Sequence, residues 1–334
     1  MKRLFFQAPH LQTLFACLAV ALATALHACL DPSGLDPEVL DTWVHIKSKD
    51  GLAGDNVTAI FEDDRGGIWI GTTSGVSLYS QGRFTSYRQS NGLSSNYITA
   101  IAQDNKGRLW VATDKGVNVN INNSWVIPSL FEDVLVTVLE ETSDNRLMIG
   151  TACCGAFEFR TDVDNFYYFY NPNNCASCNY INTIFQDGDG RIWLGTDDGA
   201  KRFHRNNEIV SIRKSDGLPG SYVTAISEDE WGNFWVGTFD GYTIARLSET
   251  QITQIGLANL QEQNWIRSLV VDHMGVLWVA TGTNGLYRYD GAYMRKVTVG
   301  FNEDRIGTLL RDKIGRIWVG TNNGLYCYTP PVIR

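Results

Sequence analysis

Five histidines, a handful of loop aspartates and seven cysteines are the residues of this 334-residue chain whose chemistry could go beyond packing. His10 and His27 fall in an apolar N-terminal stretch, and His45, His204 and His273 fall on two outer-strand regions and one distant turn. No His-centred catalytic group assembles from them. Asp114, Asp197, Asp198 and Asp240 share one set of loops and could hold a cation or form an acid/base pair. Asp187-Gly-Asp-Gly190 starts like a calcium loop but lacks the later ligands, so it reads as a turn. Cys153, Cys154, Cys175 and Cys178 crowd two neighbouring loops, whereas Cys327 stands in a strand as a small buried hydrophobe. In an exported chain the four are disulfide candidates, forming one or two bridges that pin the loops. Closing a loop of about twenty residues stabilises by roughly 3 kcal/mol. Four thiolates could instead take zinc, but an adjacent Cys-Cys pair lacks the usual spacing, so no metal and no cofactor is expected.

Export is read from the N-terminus. Lys2 and Arg3 precede an apolar stretch from Leu11 to Leu26, too short for a membrane span and shaped like a secretory signal. It ends Leu26-His27-Ala28-Cys29, a lipobox-like sequence that makes residues 1–28 a lipoprotein signal peptide and Cys29 the lipidated residue. An ordinary signal cut at a small-x-small site is the alternative. Residues 29–40 then read as a tether. Leu30 is not the aspartate of inner-membrane retention, so an outer-membrane anchor is expected, facing the periplasm or the surface. The chain carries 28 Lys plus Arg against 36 Asp plus Glu, and losing Lys2 and Arg3 with the signal takes the net charge from −8 to −10. Such a surface would not bind anionic lipid or nucleic acid, which leaves acyl chains as the sole membrane attachment.

What must position the loop residues is a sevenfold repeat. Trp69, Trp110, Met148, Trp193, Trp235, Trp278 and Trp318 sit in equivalent segments spaced 41, 38, 45, 42, 43 and 40 residues apart. A period near forty with four short strand-like runs per unit is the signature of a propeller blade. Before each Trp comes a turn such as Asp63-x-x-Gly66, in which Asp bonds the turn backbone and Gly takes a positive φ. The third unit has Thr142 and Asn145 there instead. Two residues after each Trp or Met148 stands Gly or Ala, which leaves room for a bulky group of the neighbouring blade. The stretch from Trp43 to Leu52 aligns with Phe84 to Leu93 at an offset of 41, so the domain begins with a fourth strand, while the seventh unit stops after its third. The fold class expected is all-β, a seven-bladed β-propeller over residues 41–330, whose N-terminal strand closes the last blade and removes the open edges.

The residues just before the inner strands are Asn56, Tyr97, Leu135, Tyr180, Tyr222, Trp265 and Arg305. Around a channel mouth, four aromatics and an arginine would suit stacking on sugar rings or planar groups. The same residues could instead seal the upper core between blades. Asp55, Asn96, Asn179, Asn264 and Asp304, one position earlier, could bond hydroxyls or cap a turn.

The repeat, GL-x-x-N then V-x-x-I then D-x-x-G-x-[IL]-W-[IV]-G-T, resembles the two-component regulator propeller family. The resemblance implies architecture without a catalytic residue, in propellers that form the extracytoplasmic sensing half of hybrid sensor kinases. The propeller is expected to stand here without the kinase, transmembrane helix or immunoglobulin-like module that the resemblance would place after it. A ligand-binding or sensory lipoprotein is therefore expected, not an enzyme, recognising an oligosaccharide or other small ligand and acting with a separate signalling or uptake partner. The alternatives are a scaffold for another envelope protein and, third, a lyase or hydrolase using rim carboxylates.

Overall fold

In the computed structural model, residues 42–122, 124–171, 180–204, 208–241, 243–248, 251–256 and 265–330 are described. The signal, Cys29, the tether, Cys175 and Cys178 lie outside them. The described residues form seven four-stranded antiparallel sheets, each with its strands in chain order except the last. Blade 1, for example, runs Val57–Glu62, Ile68–Thr72, Gly75–Ser80 and Arg83–Tyr87 from the channel outwards. Blade 7 takes three strands from the C-terminal side, Ile306–Arg311, Ile317–Thr321 and Gly324–Thr329, and its outer strand, Thr42–Ile46, from the other end. That outer strand pairs from Thr42 against Thr329 to Ile46 against Leu325, closing the ring as the repeat offset predicts.

The hairpin before each Trp strand is tied by one carboxylate. In blade 4, Asp187 Oδ1 accepts the amides of Asp189 (3.1 Å) and Arg191 (2.8 Å), while Oδ2 accepts Arg191 Nε (2.6 Å) and Trp193 Nε1 (2.8 Å). The Asp-to-indole bond recurs from Asp63, Asp104, Asp229, Asp272 and Asp312. This accounts for the joint loss of Asp and Trp in blade 3, because a buried indole N–H and its acceptor need each other. There Thr142 Oγ1 takes the Arg146 amide at 3.2 Å, and Asn145 occupies the positive-φ position at 66°.

Between blades, the missing side chain after each Trp admits the first residue of the next inner strand. A Cβ on Gly71 would fall 2.6 Å from Ile98 Cγ2, and one on Gly320 would fall 2.6 Å from Val57 Cγ1 across the closure. Threonines at the second inner-strand position add clasps along the channel wall. Thr58 donates to Ile98 O (2.6 Å), Thr99 to Val136 O (2.5 Å), Thr137 to Ile181 O (2.5 Å) and Thr224 to Ile266 O (2.6 Å). Asn182, Arg267 and Gly307 stand at that position in blades 4, 6 and 7. Three of the linkers, at Ser48–Asp50, Gln89–Asn91 and Lys214–Asp216, are built the same way. In Ser48-Lys-Asp50-Gly51-Leu52 the Asp50 carboxylate accepts the Lys47 amide at 3.0 Å, Gly51 turns the chain at φ 121°, and Leu52 is buried.

Candidate functional site

The loops before the inner strands and after the Trp strands do share one rim. The carbonyl of Asn56 accepts the Thr73 amide, Tyr97 that of Asp114, Leu135 that of Ala152, Tyr222 that of Phe239, Trp265 that of Gly282, and Arg305 that of Asn322. These bonds hold six of the seven collar positions around the mouth of a central channel of about 500 Å³. Tyr97 (45 % exposed) and Tyr222 (44 %) face solvent instead of sealing the core. Asn56 and Arg305 are exposed as well, while Tyr180 and Trp265 are half-buried.

The mouth is lopsided. On one side Tyr180, Asp197 and Asn182 gather, Asn182 Nδ2 donating to Asp197 Oδ1 at 2.9 Å. Burial pushes the Asp197 carboxyl up, and burial with the nearby Asp197 and Tyr97 pushes the Tyr180 phenol up. On the other side runs an aromatic row. Tyr222 meets Phe239 edge-on with ring centres 6.4 Å apart, and Phe239 stacks on Trp265 at 5.0 Å and 25°. Gly282 makes that stack possible, since a Cβ there would collide with the indole, whose Nε1 is buried and has no hydrogen-bond partner among the described residues. Arg267 lies 6.0 Å from the Trp265 ring centre and completes the row. Phe239, Arg267 and Asn322 were not among the residues singled out from sequence. Arg267 carries a legible signal, standing where four blades have the clasping threonine.

Other expected candidates resolve differently. Asp55 and Asn96 cap turns, accepting the Ser48 amide at 2.6 Å and the Gln89 amide at 2.8 Å, and Asp304 pairs with Lys296 at 3.2 Å. Asp240 accepts the Ser221 and Tyr222 amides at 3.0 Å each, and Asp198 pairs with Lys201 and Arg213. Three of the four rim aspartates are thus committed to local partners. No group of three or more metal-binding side chains forms among the described residues. Cys153 and Cys154 are bonded to each other. This corrects the cross-loop bridge expected for them: a bond between sequence neighbours closes a ring within its own loop and ties that loop to nothing else. Cys327 is buried, and burial pushes its thiol up to about 11.

At the far end of the channel, blade 3 holds an acid where the others hold Phe61, Ala102, Phe185, Ser227, Val270 and Leu310. Glu140 pairs across the sheet with Met148, and enclosure by protein, with Glu141 beside it, pushes its carboxyl up to about 8. Part of its surface still meets the channel, but water confined there solvates a charge poorly. A raised carboxyl pKa gives stability that is complete below the unfolded value near 4.5 and is lost as pH rises through about 8. Glu140→Gln should therefore raise the melting temperature at pH 8 and change it little at pH 4.5. An equal gain at both would show that the carboxyl is not strained by ionisation.

Five segments, residues 51–74, 92–115, 176–198, 217–240 and 300–323, match the model of the two component regulator propeller. Blade 3, which lacks the Asp and Trp, and blade 6 contribute none of them. No curated protein matches the sequence. Among solved structures, the chain is similar to the extracellular domain of BT3049 from B. thetaiotaomicron, described as a hybrid two component system (22 % identity, TM-score 0.72), over 87 % of this chain and 42 % of that one. It is similar to virginiamycin B lyase from Staphylococcus aureus (14 %, TM-score 0.70; 86 % and 97 % of the two chains). PorZ, a surface component of the type-IX secretion system of Porphyromonas gingivalis, is a further neighbour (17 %, TM-score 0.65; 84 % and 47 %). The chain therefore spans about two fifths of the BT3049 domain, and likeness at these identities speaks to the fold alone. With its seven closed blades and five matching repeats, the chain belongs to the two component regulator propeller family.

Proposed function

We propose that this protein is an exported, sensory propeller that recognises a saccharide ring at the channel mouth and passes the event to a separate signalling or uptake partner. The observation that carries the reading is the row Tyr222–Phe239–Trp265, aromatic faces held in the open by backbone bonds and by Gly282. A sugar offers apolar C–H faces to such rings and hydroxyls to the neighbouring amides. The likeness to an extracellular domain of a two component system supports export and sensing. Among the described residues no helix is long and apolar enough to cross a membrane; in this reading the attachment is lipid on Cys29.

One observation favours the scaffold reading. On the far rim, the hairpin tips of blades 5, 6 and 7 expose Trp231 (70 %), Met274 (41 %) and Ile314 (75 %), an apolar row suited to a protein partner. The two readings use opposite rims. The test is a thermal-shift screen against neutral and acidic glycans, peptides and metal ions, followed by titration of Trp265→Ala. A glycan class should raise the melting temperature, and the variant should lose about tenfold or more in affinity, or 1.4 kcal/mol, with its fold intact. Unchanged affinity in the variant would sink the collar reading.

A further inference from the structure

The aromatic row ends beside a cleft of about 420 Å³ between blades 6, 7 and 1. Its polar wall is Arg267, Arg305, Asn56, Asn322 and Thr283, and no carboxylate lines it. Several other guanidiniums have an acid to pair with, as Arg108 has Asp104 and Arg191 has Asp187. Arg267 and Arg305 have none among the described residues. The described acids next to cleft residues in sequence are engaged: Asp55, beside Asn56, by the Ser48 amide, and beside Arg305, Glu303 by Asn323 Nδ2 (2.6 Å) and Tyr326 OH (3.0 Å) and Asp304 by Lys296. On a chain of net charge −8, two unpaired guanidiniums on one cleft set up a local field opposite in sign to the whole. Gly307 keeps the wall between them clear, at the position where other blades have a threonine.

We propose that this cleft binds the carboxylate or sulfate of an acidic sugar whose ring lies against Trp265. The assignment rests on the saccharide reading above and narrows it. Guanidinium forks match the paired oxygens of carboxylate and sulfate. The Asn56 and Asn322 amides can both donate to and accept from ring hydroxyls. Arg267 comes from blade 6, Arg305 and Asn322 from blade 7, and Asn56 from blade 1, so the bound group would bridge three blades.

The test is calorimetric titration of the full chain with uronic-acid tetrasaccharides, their carboxyl-reduced counterparts, a sulfated tetrasaccharide with its desulfated form, and inorganic sulfate. At least one acidic sugar should bind about tenfold or more tightly than its uncharged counterpart and weaken with added salt. The difference should vanish in Arg267→Gln/Arg305→Gln, whose melting temperature should match the parent because both side chains are exposed. Which acidic sugar binds separates carboxylate from sulfate. Equal binding of charged and uncharged sugars, both weakened by Trp265→Ala, would overturn the anionic assignment and leave the saccharide reading standing. Inorganic sulfate binding as tightly as any acidic sugar would overturn the part played by the ring. Binding of no sugar at all would overturn both.

Discussion

Asp187→Ala should destabilise the propeller by about 3–5 kcal/mol, the cost of removing one partner from a buried charged pair. The side chain is fully buried and answers four donors, two turn amides, Arg191 Nε and Trp193 Nε1. Alanine leaves all four facing a space that offers no acceptor, and a buried unpaired donor carries its whole desolvation penalty. Asp187→Asn keeps acceptor capacity on one oxygen and should fall between the two. Asp114→Ala, at an exposed aspartate of the mouth, should stay within about 0.5 kcal/mol of the parent. Urea unfolding followed by tryptophan fluorescence gives the comparison. A loss of under about 1 kcal/mol for Asp187→Ala would mean that water replaces the carboxylate in the turn.

Removing residues 42–47 should cost more than any single substitution. The strand Thr42–Ile46 supplies the whole outer edge of blade 7, five register positions against Gly324–Thr329. It also carries Trp43, whose ring centre lies 5.1 Å from those of Phe301 and Tyr328 and which packs onto the cluster around Trp278. Trp43→Ala alone should cost about 3 kcal/mol. Without the strand, Gly324–Thr329 becomes a bare edge bearing Leu325, Tyr326, Cys327 and Tyr328, a template for pairing with other chains. The truncated protein should aggregate or run as oligomers in size-exclusion chromatography with light scattering. A monomer with the parent's melting temperature would show that the three remaining strands of blade 7 suffice.

Blade number, order and closure were legible because each depends on residues with few substitutes. Gly or Ala after the Trp is forced by Ile98 and its counterparts, and the offset between Trp43 and Phe84 survives because both head the same kind of strand. The turn aspartates were legible as turn formers but not as indole acceptors, since a five-residue gap between Asp and Trp says nothing about where the side chain points. The collar positions were legible as positions, because strand starts fix them. Their chemistry was less so. Phe239 joins Tyr222 and Trp265 only through the curvature of the ring, and the bond between Cys153 and Cys154 is one of several pairings that four cysteines permit. Glu140 was hidden by a repeat alignment centred on the Trp strand, which passes over the strand facing it.

The threonine clasps have one more consequence. From Thr58 to Ile181 they form a continuous inner hoop across blades 1 to 4, and Thr224 resumes it between blades 5 and 6. At Asn182, between blades 4 and 5, and at Arg267 and Gly307, on either side of blade 7, no threonine stands to continue it. Ties persist further out, through Gly285 to Asp304 and Gly324 to Asp55, and at the far rim, through Lys313 to Glu62. Blade 7 is thus held at its back and its base, and on the blade 6 side its inner strand is tied by the Leu309 amide donating to Ser268 Oγ at 3.2 Å, while its inner lip carries no threonine clasp. Among the described residues, widening the bore between blades 7 and 1 would break no inner-strand clasp, whereas widening it over blades 1 to 4 would break three. The seam spliced from the two ends of the domain is thus one of the joints that no threonine clasp closes.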